Sequence, residues 1–508
     1  MADVTPFLED AAHFPGGHAS GVVFPRSFDE VSEAVRHADA VLPIGAQSSL
    51  TGGATPMGEV ILSTSKMTRI LGQTAHTLTV EAGVTVAAIQ EHLAAAGAWL
   101  PPAPTFTGAF AGGIVATNAA GAATFKYGSV RDWVLALTVV LADGSILRIA
   151  RGDSTASHGR LRVGNLVVPV PSYQMPRVVK KSAGYFASPD MDAIDLFIGS
   201  EGTLGVIVEI TFRVLSPAPR EALALIPCRS EGQALRVAGR LREASVETWR
   251  SGDESGIDAC AIENIDRRCI QILEEDGVTS REHVNLPVDT DAALFVQLEL
   301  PVSTTPARAY EEIASATEAG APDSALVRFC RLLASEDLLD VTELAPPGDR
   351  RRFKQLIGVR EAVPAGVNHR VGAAKRSADA RIAKTAADMI VPFERFAEMN
   401  AVYRHGFESR GLDYAIWGHI SDGNVHPNVL PRSYDDVEQG REAILEFGRE
   451  AARLGGCPLA EHGVGRGAIK QALLRQLYGD AGIAEMRAVK RALDPGWKLA
   501  PGVIFPAG

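Results

Sequence analysis

The stretch from Trp417 to Asn428 contains two histidines whose spacing could place one metal ion between them. An Asp-Gly dipeptide lies in its middle, and this pair of residues is a strong signal for a two-residue hairpin turn. Such a turn would pair His419 with His426 and Trp417 with Asn428, so that both imidazoles and the Asn428 amide project from one face. Opposed residues have Cβ atoms about 4.5–5.5 Å apart, close enough for two imidazoles to bind one divalent ion. Two histidines rarely hold a metal alone, so another segment must supply a further ligand.

Length and composition restrict the class of protein that could carry this pair. A chain of 508 residues should form two or three domains, and 46% hydrophobic with 22% charged residues is typical of a soluble globular protein. The net charge of −11 argues against a nucleic-acid partner. The N-terminal residues are acidic and no apolar run approaches the ~20 residues of a membrane span, so we expect a cytoplasmic protein without a signal or transit peptide. Five cysteines occur without CxxC spacing, and we expect reduced, buried thiols.

Three segments rich in glycine and hydroxyl residues, at 43–52, 104–121 and 199–205, each lie beside a predicted strand. Such loops offer unblocked backbone N–H groups that can surround phosphate oxygens. Neither GxGxxG nor GxxxxGK[ST] occurs, so neither a Rossmann site nor a P-loop is indicated. Three loops in one half of the chain instead predict a long ligand threaded through a shared cleft.

These three loops resemble the flavin-binding half of the vanillyl-alcohol-oxidase-type FAD-linked oxidoreductases, most closely the D-lactate and D-2-hydroxyglutarate dehydrogenase branch. The first loop is similar to the family's Pro-x-Gly-x-Gly-Thr-Ser-Leu-x-Gly, with Gln47 and Ser48 where Gly and Thr are usual. The second is similar to Gly-Gly-x-x-x-x-Asn-Ala-x-Gly, and the third to Gly-Ser-Glu-Gly-Thr-Leu-Gly. The first loop has no histidine, so the resemblance implies non-covalent FAD. The residues implied in cofactor binding are Pro43, Gly45, Ala46, Gln47, Ser48, Ser49, Leu50, Gly52, Thr107, Gly108, Gly112, Gly113, Thr117, Asn118, Gly121, Tyr127, Glu201, Gly202, Gly205, Val206 and Ile207.

The same resemblance supplies the missing metal ligand. Glu461-His462-Gly463 is similar to the family's Glu-His-Gly element, in which the glutamate completes the metal site and the histidine acts as base. His419, His426 and Glu461 would then form a two-histidine, one-carboxylate site for a divalent metal (Zn, Mn or Fe) with positions open for substrate.

Two further residues would contact the substrate. Arg360 precedes Glu361 in a segment that resembles the family's Leu-Arg-Glu site, where the arginine binds the substrate carboxylate. Without the resemblance, a surface helix arginine would be the better interpretation. Asn428 could hydrogen-bond the same carboxylate. The family's second substrate lysine is replaced by Ala386, and Lys384 could take its place.

The resemblance implies an α+β fold: a two-subdomain FAD-binding domain of PCMH type at 1–216, an α+β substrate cap domain at 217–455, and a C-terminal segment at 456–508 that returns to the flavin site. It implies oxidation of a D-2-hydroxy acid to the 2-oxo acid by hydride transfer to flavin, with an electron-transfer flavoprotein or a quinone as acceptor. A homodimer is the default assembly. A flavin-dependent alcohol oxidase, a non-redox transferase on this fold, and a metal-dependent hydrolase whose loops bind a nucleotide stay open. Residues 151–177 resemble an insertion to which the sequence assigns no role.

Overall fold

Two units make up the chain in this computed structural model, which describes residues 3–102, 104 and 106–506. The first unit comprises Met1–Gly121, Tyr127–Pro217 and Ala451–Gly508, and the second comprises Ala122–Lys126 and Ala218–Glu450. Thr105, in the second of the three loops, lies outside the described residues. Both units combine sheets and helices, which confirms the predicted α+β class.

The first unit contains two sheets and a separate hairpin. The first sheet is parallel, with the order β1-β3-β2, and the second is antiparallel, with the order β4-β5-β10-β6-β7, while β8 and β9 pair with each other. The strands are β1 (Gly21–Val23), β2 (Val41–Ile44), β3 (Val60–Ser63), β4 (Ile70–Gln73), β5 (Thr77–Glu81), β6 (Val134–Val140), β7 (Ile146–Ala150), β8 (Arg160–Val163), β9 (Leu166–Pro169) and β10 (Val206–Arg213).

Helices pack on these sheets and begin where the sequence predicts caps. The Ser27 hydroxyl accepts a hydrogen bond from the N–H of Glu30 at 3.2 Å, and the buried Val31 and Val35 turn one face of the first helix to the core. The helices of this unit are α1 (Phe28–His37), α2 (Val86–Ala94), α3 (Ala111–Ala116) and α13 (Ala468–Leu493), and the short α4 (Thr124–Tyr127) spans the unit boundary. Helix α13 is interrupted at Gly479, whose φ is 67°.

The unassigned segment 151–177 folds as the β8–β9 hairpin and the chain that follows it. The Ser172 hydroxyl donates to Glu485 of α13 at 2.7 Å, and the Tyr173 ring lies 4.3 Å from the ring of Tyr478. The Tyr173 hydroxyl also donates to the carbonyl of Tyr185. The segment 151–177 therefore packs against α13.

The second unit is built on one antiparallel sheet of seven strands in the order β14-β11-β13-β12-β16-β17-β15. Its core is formed by apolar residues of the sheet, such as Leu225 and Phe295, and of the helices α6 and α10. The strands are β11 (Arg220–Cys228), β12 (Ala259–Ile265), β13 (Ala292–Leu300), β14 (Glu343–Ala345), β15 (Met389–Ile390), β16 (Tyr414–His419) and β17 (Asn424–Val429). The helices are α5 (Glu231–Ser251), α6 (Arg267–Glu275), α7 (Val278–Arg281), α8 (Pro306–Ser315), α9 (Ala325–Ala334), α10 (Arg350–Ser377), α11 (Phe396–Glu408) and α12 (Tyr434–Arg453).

Two expectations about the whole chain can be compared with this fold. All five cysteines are buried, as expected, and none forms a disulfide within the described residues. Within the described residues, none of the helices combines the length and the apolar character needed to cross a bilayer.

Candidate functional site

A cavity of about 320 Å³ lies in the first unit, at the ends of β2 and α3 and beside β10. Its volume falls in the range of about 300–1,000 Å³ that is usual for small-molecule sites. All three glycine-rich loops contribute to its wall. The predicted cofactor residues that line it are Pro43, Gly45, Ala46, Gln47, Ser48, Ser49, Leu50, Gly112, Gly113, Thr117, Glu201, Gly202, Gly205, Val206 and Ile207.

The first loop presents backbone donors to this cavity. Among the described residues, the N–H groups of Ala46, Gln47 and Ser48 donate to no protein acceptor. Gln47 has a φ of 52°, the left-handed region that favours glycine, and its side-chain amide donates to the carbonyls of Phe7 and Ala54 at 2.9 and 3.0 Å. The Gln47 side chain is therefore held by the protein while the backbone of the loop faces the cavity. Three successive N–H groups of this kind suit phosphate oxygens.

The second loop combines a tight packing position with an open one. A Cβ on Gly112 would lie 2.8 Å from the Cβ of Ala82, so Gly112 lets α3 approach the strand β5 closely. A Cβ on the neighbouring Gly113 would meet no atom within 4 Å, so a side chain there would enter the cavity space. The two glycines thus have different physical roles.

Six of the predicted cofactor residues do not line the cavity. Gly52 packs on Phe14, since a Cβ there would lie 2.5 Å from the phenyl ring. Asn118 is buried and accepts a hydrogen bond from the N–H of Arg131 at 3.0 Å, and the Tyr127 carbonyl accepts one from the Trp133 indole at 2.7 Å. Asn118 and Tyr127 therefore make hydrogen bonds within the protein beside the cavity. The six are Gly52, Thr107, Gly108, Asn118, Gly121 and Tyr127.

The third loop contacts the segment that carries the Glu-His-Gly element. The two carboxylate oxygens of Glu201 accept hydrogen bonds from the N–H groups of Val464 and Gly465, each at 2.8 Å. Burial raises the pKa of Glu201 to about 7, although these two hydrogen bonds act in the opposite direction. Glu461 and His462 come just before Val464 in the chain, and both also line the cavity.

Glu461 is held by a buried lysine that the sequence did not indicate. The ammonium nitrogen of Lys180 lies 2.7 Å from Oε1 of Glu461, and the two side chains are 0% and 7% exposed. His462 Nε2 lies 4.0 Å from Oε2 of the same carboxylate. Because an unpaired buried charge is costly, each of these two side chains provides the other with a partner in the fold.

The hairpin of the second unit has a different register from the predicted one. His419 pairs with Asn424, and His426 pairs with Trp417, so the predicted direct opposition of the two histidines is wrong. The cause is the turn: a 3-10 turn over Ile420–Asp422 makes a four-residue connection instead of a two-residue one.

The register shift nevertheless leaves both histidines on one face. It amounts to two residues, and side chains alternate with a period of two, so His419 and His426 become diagonal neighbours on the same face. Their ring centroids are 5.7 Å apart and the rings are perpendicular. The expected pair of imidazoles is therefore present through a different pairing.

Each of these histidines has a carboxylate beside its Nδ1 atom. Oε2 of Glu263 lies 3.5 Å from Nδ1 of His419, and Oδ1 of Asp388 lies 3.6 Å from Nδ1 of His426. The Asn424 amide donates to the same oxygen of Asp388 at 3.2 Å. Each ring therefore has a carboxylate on its Nδ1 side, at a distance longer than that of a normal hydrogen bond.

Arg360 joins this cluster through Glu263. Its Nε donates to Oε1 of Glu263 at 2.6 Å, so one carboxylate contacts both the guanidinium and the imidazole of His419. The Arg360 side chain is 18% exposed, so it is not a solvated surface arginine of α10. The second unit thus gathers an arginine, two histidines and two carboxylates.

Asn428 occupies the same strand as His426. It pairs with Ala415, and not with Trp417 as predicted, and its amide nitrogen donates to the carbonyl of His426 at 2.8 Å. Its Oδ1 atom is buried and accepts no hydrogen bond within the described part of the chain. Lys384, by contrast, is exposed.

The residues that sequence reasoning missed come from strands and loops distant in sequence from the motifs. Glu263 lies in a mainly apolar strand, where a single glutamate carries no pattern of its own. Lys180 and Lys181 form a pair just before the third loop, which is a weak signal. Phe106 and Phe110 also line the cavity and are an exception, since they lie within the second loop but are not part of its glycine pattern.

Comparison with known proteins places the chain in a family. A model of the FAD binding domain matches residues 19–150, and a model of the C-terminal domain of FAD linked oxidases matches residues 240–504, which is more than half of the chain. The chain is 28% identical over 494 residues to a D-lactate dehydrogenase of Archaeoglobus fulgidus, covering 95% of this chain and 90% of the relative. It is 27% identical over 496 residues to a D-2-hydroxyglutarate dehydrogenase of Xanthomonas citri pv. viticola, covering 95% and 89%.

A solved structure of an alkyldihydroxyacetonephosphate synthase superposes with a TM-score of 0.57 at 15% identity, covering 94% of this chain and 75% of that one. This likeness shows the fold. The matched domain models show the family and its cofactor class. The chain belongs to the FAD-linked oxidases, the vanillyl-alcohol-oxidase-type family that its three loops resemble.

Proposed function

We propose that this protein oxidises a D-2-hydroxy acid, of the D-lactate or D-2-hydroxyglutarate class, to the 2-oxo acid with FAD and a divalent metal. The observation that carries the proposal is the cluster in the second unit, where two histidines with carboxylates near Nδ1 lie close to the half-buried Arg360. Relatives that match nearly the whole chain are named for D-lactate and D-2-hydroxyglutarate. A metal-binding pair next to a guanidinium suits a substrate that has a hydroxyl beside a carboxylate.

The cavity of the first unit fits the cofactor. The backbone of Ala46, Gln47 and Ser48 would bind the pyrophosphate, and Gly113 leaves room for the flavin ring system. FAD held there would supply the two-electron acceptor that oxidation at C2 of the substrate requires. The protein's contribution is to hold the two reactants in position.

The two histidines fit a metal, because their Nδ1 atoms face Glu263 and Asp388. We propose that Glu461 is the third ligand. A divalent cation held by this set would supply positive charge that lowers the pKa of the substrate hydroxyl.

Three other side chains would act on the substrate itself. Arg360 would bind the substrate carboxylate through its guanidinium nitrogens, and the buried Oδ1 of Asn428 suits a hydroxyl donor. His462, which lines the flavin cavity, would accept the hydroxyl proton at an imidazole nitrogen as C2 loses its hydride. The proton and the two electrons then leave the substrate together, and the carbonyl of the 2-oxo acid forms.

The cycle also needs a partner that reoxidises the flavin. We propose an electron-transfer flavoprotein or a quinone as the acceptor and a homodimer as the assembly.

Replacement of His426 tests the metal site directly. We expect purified His426→Ala to keep its FAD, to lose bound metal by elemental analysis, and to lose turnover with D-lactate and D-2-hydroxyglutarate. The matched control is His405→Ala, since His405 is an exposed histidine of α11 in the same unit. Full activity of His426→Ala with both acids would reject the metal assignment.

A further inference from the structure

Glu201 makes a contact that the proposed chemistry does not use. It belongs to the third glycine-rich loop and has a φ of 53°, so the backbone itself turns the residue into an uncommon conformation. Its carboxylate spans two consecutive N–H groups, those of Val464 and Gly465, at 2.8 Å each. A Cβ on Gly463 would lie 2.9 Å from Oε1 of Glu201, so the chain passes very close to the carboxylate.

Only a carboxylate can make both bonds at this position. Each oxygen accepts a hydrogen bond from a different N–H group. If either oxygen were replaced by a donor group, two donors would face each other. The side chain lies in a buried environment that disfavours charge and raises its pKa, with Lys470 as a nearby positive charge that favours the anion. Because burying a carboxylate is costly, an apolar side chain would suit this position better if the residue only filled space.

The chain held by Glu201 is the segment that carries Glu461 and His462. Two other contacts fix the same segment. Lys180 pairs with Glu461 on one side, and the Thr51 carbonyl accepts the N–H groups of Arg466 and Gly467 at 3.0 and 3.1 Å on the other. His462 lies between these fixed points, so its backbone position depends on all three.

We propose that Glu201 is a positioning residue, which holds the backbone after His462 so that the imidazole faces the flavin cavity. This inference rests on the proposed role of His462 as the base. It assigns Glu201 to the proton-transfer step and not to cofactor affinity.

The test compares Glu201→Gln with Glu81→Gln in the FAD-loaded enzyme. Glu81 is a matched control, because it is also a buried glutamate of the first unit that accepts a backbone N–H, that of Arg69 at 2.8 Å, yet it does not line the cavity. We expect Glu201→Gln to lower kcat for D-lactate by about 100-fold, the effect of a displacement near 1 Å, with KM within twofold and FAD content unchanged. Glu81→Gln should keep the wild-type kcat.

A second variant covers a folding failure of the first. Glu201→Asp keeps the charge but shortens the side chain by one methylene, so it should lower kcat in the same way and again leave KM and FAD content unchanged. The rate of anaerobic flavin reduction in a single turnover should fall in parallel, because the affected step is the chemical one.

His462→Gln separates this inference from the proposed function. If His462→Gln keeps the wild-type kcat, the proposed base is wrong and the inference fails with it. If His462→Gln is inactive while both Glu201 variants keep the wild-type kcat, the inference alone is overturned. Loss of FAD from the Glu201 variants, with normal kcat once FAD is restored, would likewise overturn it in favour of a cofactor contact.

Discussion

At the scale of single residues, the proposed chemistry depends on carboxylates that lie behind the reacting groups. Glu263 contacts both His419 and Arg360, so it links the side chain of the proposed metal ligand to the guanidinium proposed to bind substrate. Asp388 lies beside Nδ1 of His426 and accepts a hydrogen bond from the Asn424 amide. Such outer partners commonly change metal affinity or activity by 10- to 100-fold when they are lost.

Replacement of Glu263 should therefore affect metal and substrate together. We expect Glu263→Gln to weaken Mn²⁺ binding by about 10-fold or more and to raise KM for the hydroxy acid, because both His419 and Arg360 lose their anionic partner. Calorimetric titration and steady-state kinetics would measure the two effects. Glu221→Gln is the control, since Glu221 is a carboxylate of β11 in the same sheet that accepts a hydrogen bond from Gln297 at 3.0 Å. Wild-type metal affinity in Glu263→Gln would contradict the coupling.

Glu201 should also give the stability of the protein a pH dependence. An ordinary glutamate titrates near 4.5, and burial raises the pKa of Glu201 to about 7 in the folded chain. A raised pKa means that the stabilisation is complete below pH 4.5 and is lost as the pH rises towards 7.

The melting temperature of the wild type should accordingly fall relative to that of Glu201→Gln between pH 5 and pH 7.5, and the difference should then level off. The free-energy change behind this effect is on the order of 3 kcal/mol. Parallel melting curves at each pH measure it, and a constant difference over this range would show that Glu201 titrates normally.

At the scale of elements, a cap and a register decide where the histidines lie. Asp266 precedes α6, accepts the N–H of Cys269 at 2.9 Å, and accepts the N–H of Ile416 in β16 at 2.8 Å. One buried carboxylate thus caps a helix and holds the strand that carries His419.

Removal of this cap should loosen both elements. We expect Asp266→Ala to lower the free energy of unfolding by about 1–3 kcal/mol, since it removes a helix cap and leaves a buried N–H group unpaired. Thermal unfolding compared with Asp435→Ala, a change at an exposed aspartate in the first turn of α12, measures the effect. Equal melting temperatures in the two variants would contradict this role.

The second loop offers an element-scale test of the cofactor site. We expect Gly113→Leu to lose FAD, because the new side chain would fill cavity space, whereas Gly72→Leu on β4 should keep it. A Cβ on either glycine would meet no atom within 4 Å, but only the space beside Gly113 belongs to the cavity. The ratio of flavin absorbance to protein absorbance reports the result, and a fully yellow Gly113→Leu protein would place the cofactor elsewhere.

At the scale of the whole molecule, sequence reasoning succeeded where local patterns carry the information. The family was identified from three loops that resemble it, the resemblance implied the α+β class, and both are confirmed. The Asp-Gly dipeptide correctly indicated a hairpin with both histidines on one face. The predicted register of the hairpin was wrong, because the Asp-Gly dipeptide occurs here in a 3-10 turn and not in the two-residue turn that it usually indicates. Glu263 and Lys180 were missed, because their partners lie far away in sequence and only the fold brings them together.

The fold by itself leaves more than one chemistry open. The likeness to an alkyldihydroxyacetonephosphate synthase shows the architecture, and the same architecture supports unrelated reactions. The second-unit cluster of His419, His426 and Arg360 with its two carboxylates is the feature that favours hydroxy-acid oxidation here.

The most direct measurement is the anaerobic visible spectrum of the purified protein before and after addition of D-lactate or D-2-hydroxyglutarate. The account predicts flavin bands that bleach with at least one D acid, stay unchanged with the L acids, and no longer bleach after chelation of the metal. Flavin bands that persist with every D-2-hydroxy acid would contradict the proposed reaction while leaving the family intact.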